Sequence, residues 1–162
     1  MKGEIFQWFN QYFSQEWAVF FVSMLPIVEL RGSIPLAISL GMNPWKAYWI
    51  AVVGNAVPVI PLLLFLEPIR NFLIKHLMIM KRFFNWLDKR TIKKSDKVEK
   101  YGALALVLFT AIPFPTTGAW TASLAALLFK IKFKFSLPAI ILGIIIAGVV
   151  MIIISVTGKA IL

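Results

Sequence analysis

The sequence contains no cysteine, a single histidine and seven acidic residues in 162. Without a thiol there is no disulfide, no thiolate nucleophile and no cysteine metal ligand. One histidine, His76, cannot make a metal site alone. No Ser-His-Asp set, metal-ligand cluster or nucleotide-binding loop is present, so we expect neither an enzyme nor a cofactor. Charge is scarce too: 15% of residues are charged, against about a quarter in an ordinary soluble domain. In its place is apolar mass, 60% of residues, with a mean hydropathy of +0.84. Apolar runs of membrane-spanning length recur. This composition predicts an all-α integral membrane protein, multi-pass in the cell (inner or plasma) membrane.

The scarce charges are lopsided, 17 basic residues giving a formal net of +10. In so apolar a chain that excess suits anionic lipid headgroups and cytoplasmic loops rather than nucleic acid. The N-terminal "MKGEIFQWFNQYFSQEW" has aromatic and acidic residues where a signal peptide has a basic flank and a plain apolar core. It reads as an interfacial amphipathic helix.

Four apolar regions are visible, roughly 17–41, 45–66, 102–129 and 135–157, with a charged stretch at 67–101 between the second and third. We expect one membrane domain: a first half (1–66), a basic cytoplasmic connector (67–101) and a second half (102–162). The segments Trp45–Leu66 and Ser136–Thr157 read as spanning helices, the former kinked at Pro58 and Pro61. The other two regions are broken, one by "PIVELRGSIP" and one by "PFPTTG". Proline removes a donor, clashes with the preceding turn and pushes the residue before it away from helix. Each broken region is either one kinked span or a re-entrant helical hairpin. Charge favours hairpins. The connector carries ten Lys/Arg against four acids, which places it in the cytoplasm. Only a re-entrant second hairpin puts Lys130, Lys132 and Lys134 on that same side.

The connector opens with an amphipathic pattern, Ile69, Phe72, Leu73, Leu77, Met80, Phe83, Phe84 and Leu87. It suits a helix lying on anionic lipid or one packed on the protein's own surface. The two halves also rhyme. Ser33, Ala37 and Gly41 match Gly118, Ala122 and Ala126 at a shift of 85, and Lys46 and Ala51 match Lys134 and Ala139 at 88. Small-residue ladders let helices approach closely in lipid, and inverted repeats with broken helices are a transporter architecture. A further stripe, Ala139, Gly143 and Ala147, suits internal packing or a homodimer contact.

Ionised residues inside a membrane cost about 2.5–3.5 kcal/mol each, and non-helical backbone is tolerated there only where protein or a wet cavity surrounds it. The candidate substrate-binding residues are therefore those of the two breaks: Glu29, Arg31 and Gly32 in the first, and Pro113, Pro115, Thr116, Thr117 and Gly118 in the second. Arg31 suits a phosphate or carboxylate; Glu29 suits a cation or a proton. Helix starts after Gly32 and Gly118 would offer N–H groups to an anion. Glu29 and Arg31 are two apart, so a regular helix would not face them together. They either pair in a turn or serve separate partners.

The motifs "PIVELRGSIPLAI" (26–38) and "PFPTTGAWTASLAA" (113–126) resemble those of the small multidrug export protein family, a branch of the DedA-like superfamily. The resemblance covers nearly the whole chain. It implies two oppositely oriented re-entrant hairpins with transmembrane helices, and relatives implicated in moving lipid carriers such as undecaprenyl phosphate, in proton-coupled transport and in lipid scrambling. Glu29 and Arg31 match the charged positions of that first hairpin; the second hairpin here has no acid or arginine. The expected function is a transporter or flippase of an anionic lipid phosphate. The alternatives are a proton-coupled exporter of cationic compounds and a non-transporting assembly protein.

Overall fold

The computed structural model describes residues 15–79, 81, 82, 85, 96–112 and 117–161. Of the N-terminal helix expected over 1–17, residues 1–14 lie outside the described residues; of the solvated connector expected over 88–100, residues 88–95 do, and Asp96–Lys100 instead form the first turns of a helix. The main helices are α1 (Gln15–Met24), α2 (Glu29–Ser39), α3 (Pro44–Ala56), α4 (Val59–His76), α5 (Asp96–Ala111), α6 (Ala119–Leu128) and α7 (Phe133–Ile161), and no strand occurs among the described residues. The all-helical expectation is met.

Two stretches are long and apolar enough to cross a membrane: Pro44–Phe65, 22 residues, and Phe133–Gly158, 26 residues. At 1.5 Å per residue they reach ~33 and ~39 Å, against a hydrocarbon core of ~30 Å. Asn43 starts the first by accepting from the Trp45 N–H at 2.9 Å, with Pro44 in the first turn where its missing donor costs nothing. The kink expected at Pro58 falls at the Val57–Pro58 turn between α3 and α4. Large apolar side chains line the outside of both helices: Trp45, Trp49 and Val53 on α3, and Leu142, Ile146, Val149 and Ile153 on α7 are exposed. Their three- and four-residue steps make continuous apolar stripes, which lipid accepts and water does not.

The chain forms two compact units, Met1–Val57 with Ile144–Leu162, and Pro58–Gly143. Each long apolar stretch gives its first part to one unit and its second part to the other. In the first unit α1, α2 and α3 pack mutually. The Tyr48 hydroxyl donates to the Ile145 carbonyl at 3.3 Å, joining α3 to the middle of α7. In the second unit α4 and α5 both pack on α6. Ala139, Gly143 and Ala147 are buried within the chain, so this stripe serves internal packing.

The broken regions are pairs of short helices. The first turn is Leu25–Val28, earlier than expected, and Gly32 and Pro35 lie inside α2. Pro26 is enough to break the chain; Pro35 omits one donor in the helix and is tolerated. Helix α2 ends in a Schellman motif with Gly41 at φ 85°: Met42 N–H reaches the Ala37 carbonyl at 3.0 Å and Gly41 N–H the Ile38 carbonyl at 3.1 Å. Gly41 is thus a cap rather than a rung of the ladder. Helix α6 ends the same way, Ile131 to Ala126 at 2.9 Å and Lys130 to Leu127 at 3.1 Å, but with Lys130 at φ 53°. A side chain there costs about 1–2 kcal/mol. Lys130→Gly is expected to raise the melting temperature by a few degrees, read by thermal unfolding in detergent; a lower melting temperature would show that the lysine's contacts outweigh the strain.

The two caps, Gly41 and Lys130, lie 89 residues apart. Burial follows the same shift: Leu30, Ser33, Ile34 and Ala37 match Ala119, Ala122, Ser123 and Ala126, all buried. The shift of 85 read from the small residues is one helical turn short of this.

The amphipathic segment of the connector continues α4 through Pro68 to His76 rather than starting a separate helix. Phe72, Leu77, Met78 and Ile79 are exposed there, which disfavours packing on the protein's own surface.

Candidate functional site

Helices α1 and α2 are ten and eleven residues long, ~15–17 Å, and the turn between them carries the charged motif. Glu29 is the first residue of α2 and is 5% exposed. Its φ is 49°, a left-handed conformation that a non-glycine residue adopts at a cost of about 1–2 kcal/mol. A strained, buried carboxylate in an apolar chain combines two features that gather at functional positions. The charges of Glu29 and Arg31, two residues apart in the first turn of α2, interact.

Glu29 and Ser33 are one turn apart on α2, and both are buried. The facing helix α3 brings a buried amide, Asn55. Its level is set by Gly54, where an added Cβ would fall on the Ser23 hydroxyl and 2.6 Å from the Phe20 carbonyl. Ser23 is the penultimate residue of α1, so Asn55 stands at the turn end of the helix pair, where α2 begins with Glu29. Ser23 donates to the Phe20 carbonyl at 2.7 Å. The Ser33 Oγ and the Asn55 Oδ1 are buried with no hydrogen-bond partner among the described residues.

The other expected site residues fall as follows. The Gly32 N–H bonds the Val28 carbonyl at 3.0 Å and the Glu29 N–H the Leu25 carbonyl at 3.0 Å, so these two groups are not offered to an anion as expected. The residues of the preceding turn, Leu25 and Val28, supply the two acceptors. Pro113, Pro115 and Thr116 lie outside the described residues. Thr117 and Gly118 belong to the second unit. Thr117 donates its hydroxyl to the Ile112 carbonyl at 2.8 Å, and Gly118 is the extended residue before α6.

Sequence reasoning took Ser33 only as a small packing residue and passed over Asn55. A signal for Asn55 was present: it is the amide in the middle of "AVVGNAVPVI", a polar group in a run that otherwise needs none.

The fold thus combines two helices long and apolar enough to cross a membrane with a buried carboxylate in a short helix pair. The family model described as "Putative small multi-drug export protein" matches residues 29–150. The match covers most of the chain and begins at Glu29; the protein belongs to this family. No curated protein and no solved structure matches it.

Proposed function

We propose that the protein is an integral membrane exporter of small cationic amphipathic compounds, with the substrate site at the turn of the first helix pair and Glu29 as the cation-binding carboxylate. The observation that carries this reading is the burial of Glu29, at 5% exposure, while Arg31 is only partly buried. The more buried charge has more to gain from a substrate of opposite sign. The family description points to multidrug export rather than to the lipid-phosphate substrate first expected.

In this reading each helix pair is a re-entrant hairpin whose arms are too short to cross alone, and the halves are oppositely oriented. The shared caps and burial at a shift of 89 support the repeat. Lys130, Lys132 and Lys134 then join the basic connector on the cytoplasmic side. The exposed Phe72, Leu77, Met78 and Ile79, beside Lys75, Lys81 and Arg82, rest on anionic headgroups. A proton replaces the cationic substrate on Glu29 in the return step, which keeps the carboxylate neutralised throughout.

The test is efflux of 9-aminoacridine, a fluorescent cationic amphipath, from preloaded cells. Glu29→Gln is expected to abolish efflux above background at unchanged protein abundance, and Arg31→Ala to retain most of it. The reverse pattern would replace the cation reading with the anionic lipid-phosphate one. A fall in abundance for both variants, with no change in efflux per molecule, would leave a structural role.

A further inference from the structure

The site contains two groups that the exporter reading does not by itself require. The Ser33 Oγ on α2 and the Asn55 Oδ1 on α3 are 0% and 1% exposed as residues, and neither atom has a hydrogen-bond partner among the described residues. A buried polar atom left in that condition costs about 1–3 kcal/mol, and natural interiors rarely keep one without a reason. Replacing Asn55 with leucine would relieve that cost with little change of volume, yet the sequence holds an amide in the middle of an apolar helix.

All the oxygens at this end of the first unit have acceptor capacity. The Glu29 carboxylate when ionised is acceptor-only, the Asn55 Oδ1 is an acceptor, and the Ser33 hydroxyl has two lone pairs. A cation complementary to such a set must carry several N–H donors as well as charge. A protonated primary amine has three. A quaternary ammonium has the same charge and none.

We propose that Ser33 and Asn55 are specificity-determining residues that accept hydrogen bonds from the N–H groups of a protonated amine whose charge is held by Glu29. This rests on the exporter reading and narrows it: the substrates are primary or other N–H-bearing ammonium compounds, and quaternary ammonium analogues are discriminated against. The reason is the same asymmetry that lets a hydrogen-bonding site reject an analogue lacking the donor, since its buried acceptors are then left without a partner.

The experiment measures equilibrium binding of labelled phenethylamine and of its N,N,N-trimethyl analogue to the full chain in nanodiscs at neutral pH, with protein-free nanodiscs subtracted. The native protein is expected to bind the amine at least tenfold more tightly than the quaternary compound. Asn55→Leu should weaken amine binding by about tenfold and leave quaternary binding within about twofold, as the loss of one charge-assisted hydrogen bond implies. Asn55→Asp, which keeps an oxygen at that position, should restore amine binding, and Ser33→Ala should erode the same preference in a variant that introduces no new bulk. Equal binding of the two probes by the native chain, or an unchanged preference in both Asn55→Leu and Ser33→Ala, would overturn the inference while leaving the exporter reading intact. Absence of saturable binding of either probe to native protein would instead remove the cation reading and this inference with it.

Discussion

Gly54→Val is expected to abolish the folded first unit. A Cβ at residue 54 would fall on the Ser23 hydroxyl and 2.6 Å from the Phe20 carbonyl, and the second of these is backbone, which cannot rotate aside. The Ser23 side chain is itself held by its bond to Phe20 at 2.7 Å. Helices α1 and α3 would have to separate, and with them the packing that places Asn55 at the level of Glu29. Overpacking of this kind costs roughly 3 kcal/mol or more, a large share of a total stability of about 5–15 kcal/mol. Gly54→Ala, adding the Cβ alone, should show a smaller loss in the same direction. The measurement is the melting temperature and the monodisperse yield in detergent. A valine variant that melts within a degree or two of the native protein would show that α1 and α3 do not approach as closely as described.

How much of this could be read from the sequence depended on what kind of signal each feature leaves. Glu29 and Arg31 were legible because a charge in an apolar run stands out whatever its neighbours do. The break was legible from Pro26. Its position was not, since Gly32 and Pro35 are penalties a helix can absorb rather than absolute stops; the backbone instead turns on Glu29, a residue type that carries no signature of a left-handed conformation. The small-residue ladders were legible, but their register was not. Small residues spaced four apart look nearly the same after a slip of one turn, so shifts of 85 and 89 both align Gly, Ala and Ser. Only the two Schellman caps, Gly41 and Lys130, and the burial pattern choose between them. Asn55 left a local signal, an amide in an apolar run, but its burial depends on packing between helices, which no local pattern reports.

The matching contact in the second unit leads to the other large effect, Gly143→Val. Its added Cβ would meet the Thr110 side chain at its Cβ and lie 2.9 Å from the Val107 carbonyl. This repeats the first unit's arrangement: a glycine of the long apolar helix against a hydroxyl residue and the carbonyl three residues before it, Ser23 and Phe20 there, Thr110 and Val107 here. Thr110 is pinned by donating to the Leu106 carbonyl at 2.7 Å, so it does not swing away cheaply. The expected loss is again on the order of 3 kcal/mol, seen as a lower melting temperature and loss of monodisperse protein. Two further variants separate a local clash from a general intolerance of α7. Gly158→Ala has open space around its added methyl and should be neutral or slightly stabilising, because alanine is the better helix former by about 1 kcal/mol. Thr110→Ala should not rescue Gly143→Val, since alanine keeps the Cβ that makes the contact, whereas Thr110→Gly should recover part of the loss and leave the part owed to the Val107 carbonyl. Full rescue by Thr110→Ala would mean that the helices meet through the threonine's methyl or hydroxyl rather than through their backbones, and the close approach inferred for both units would then need revision.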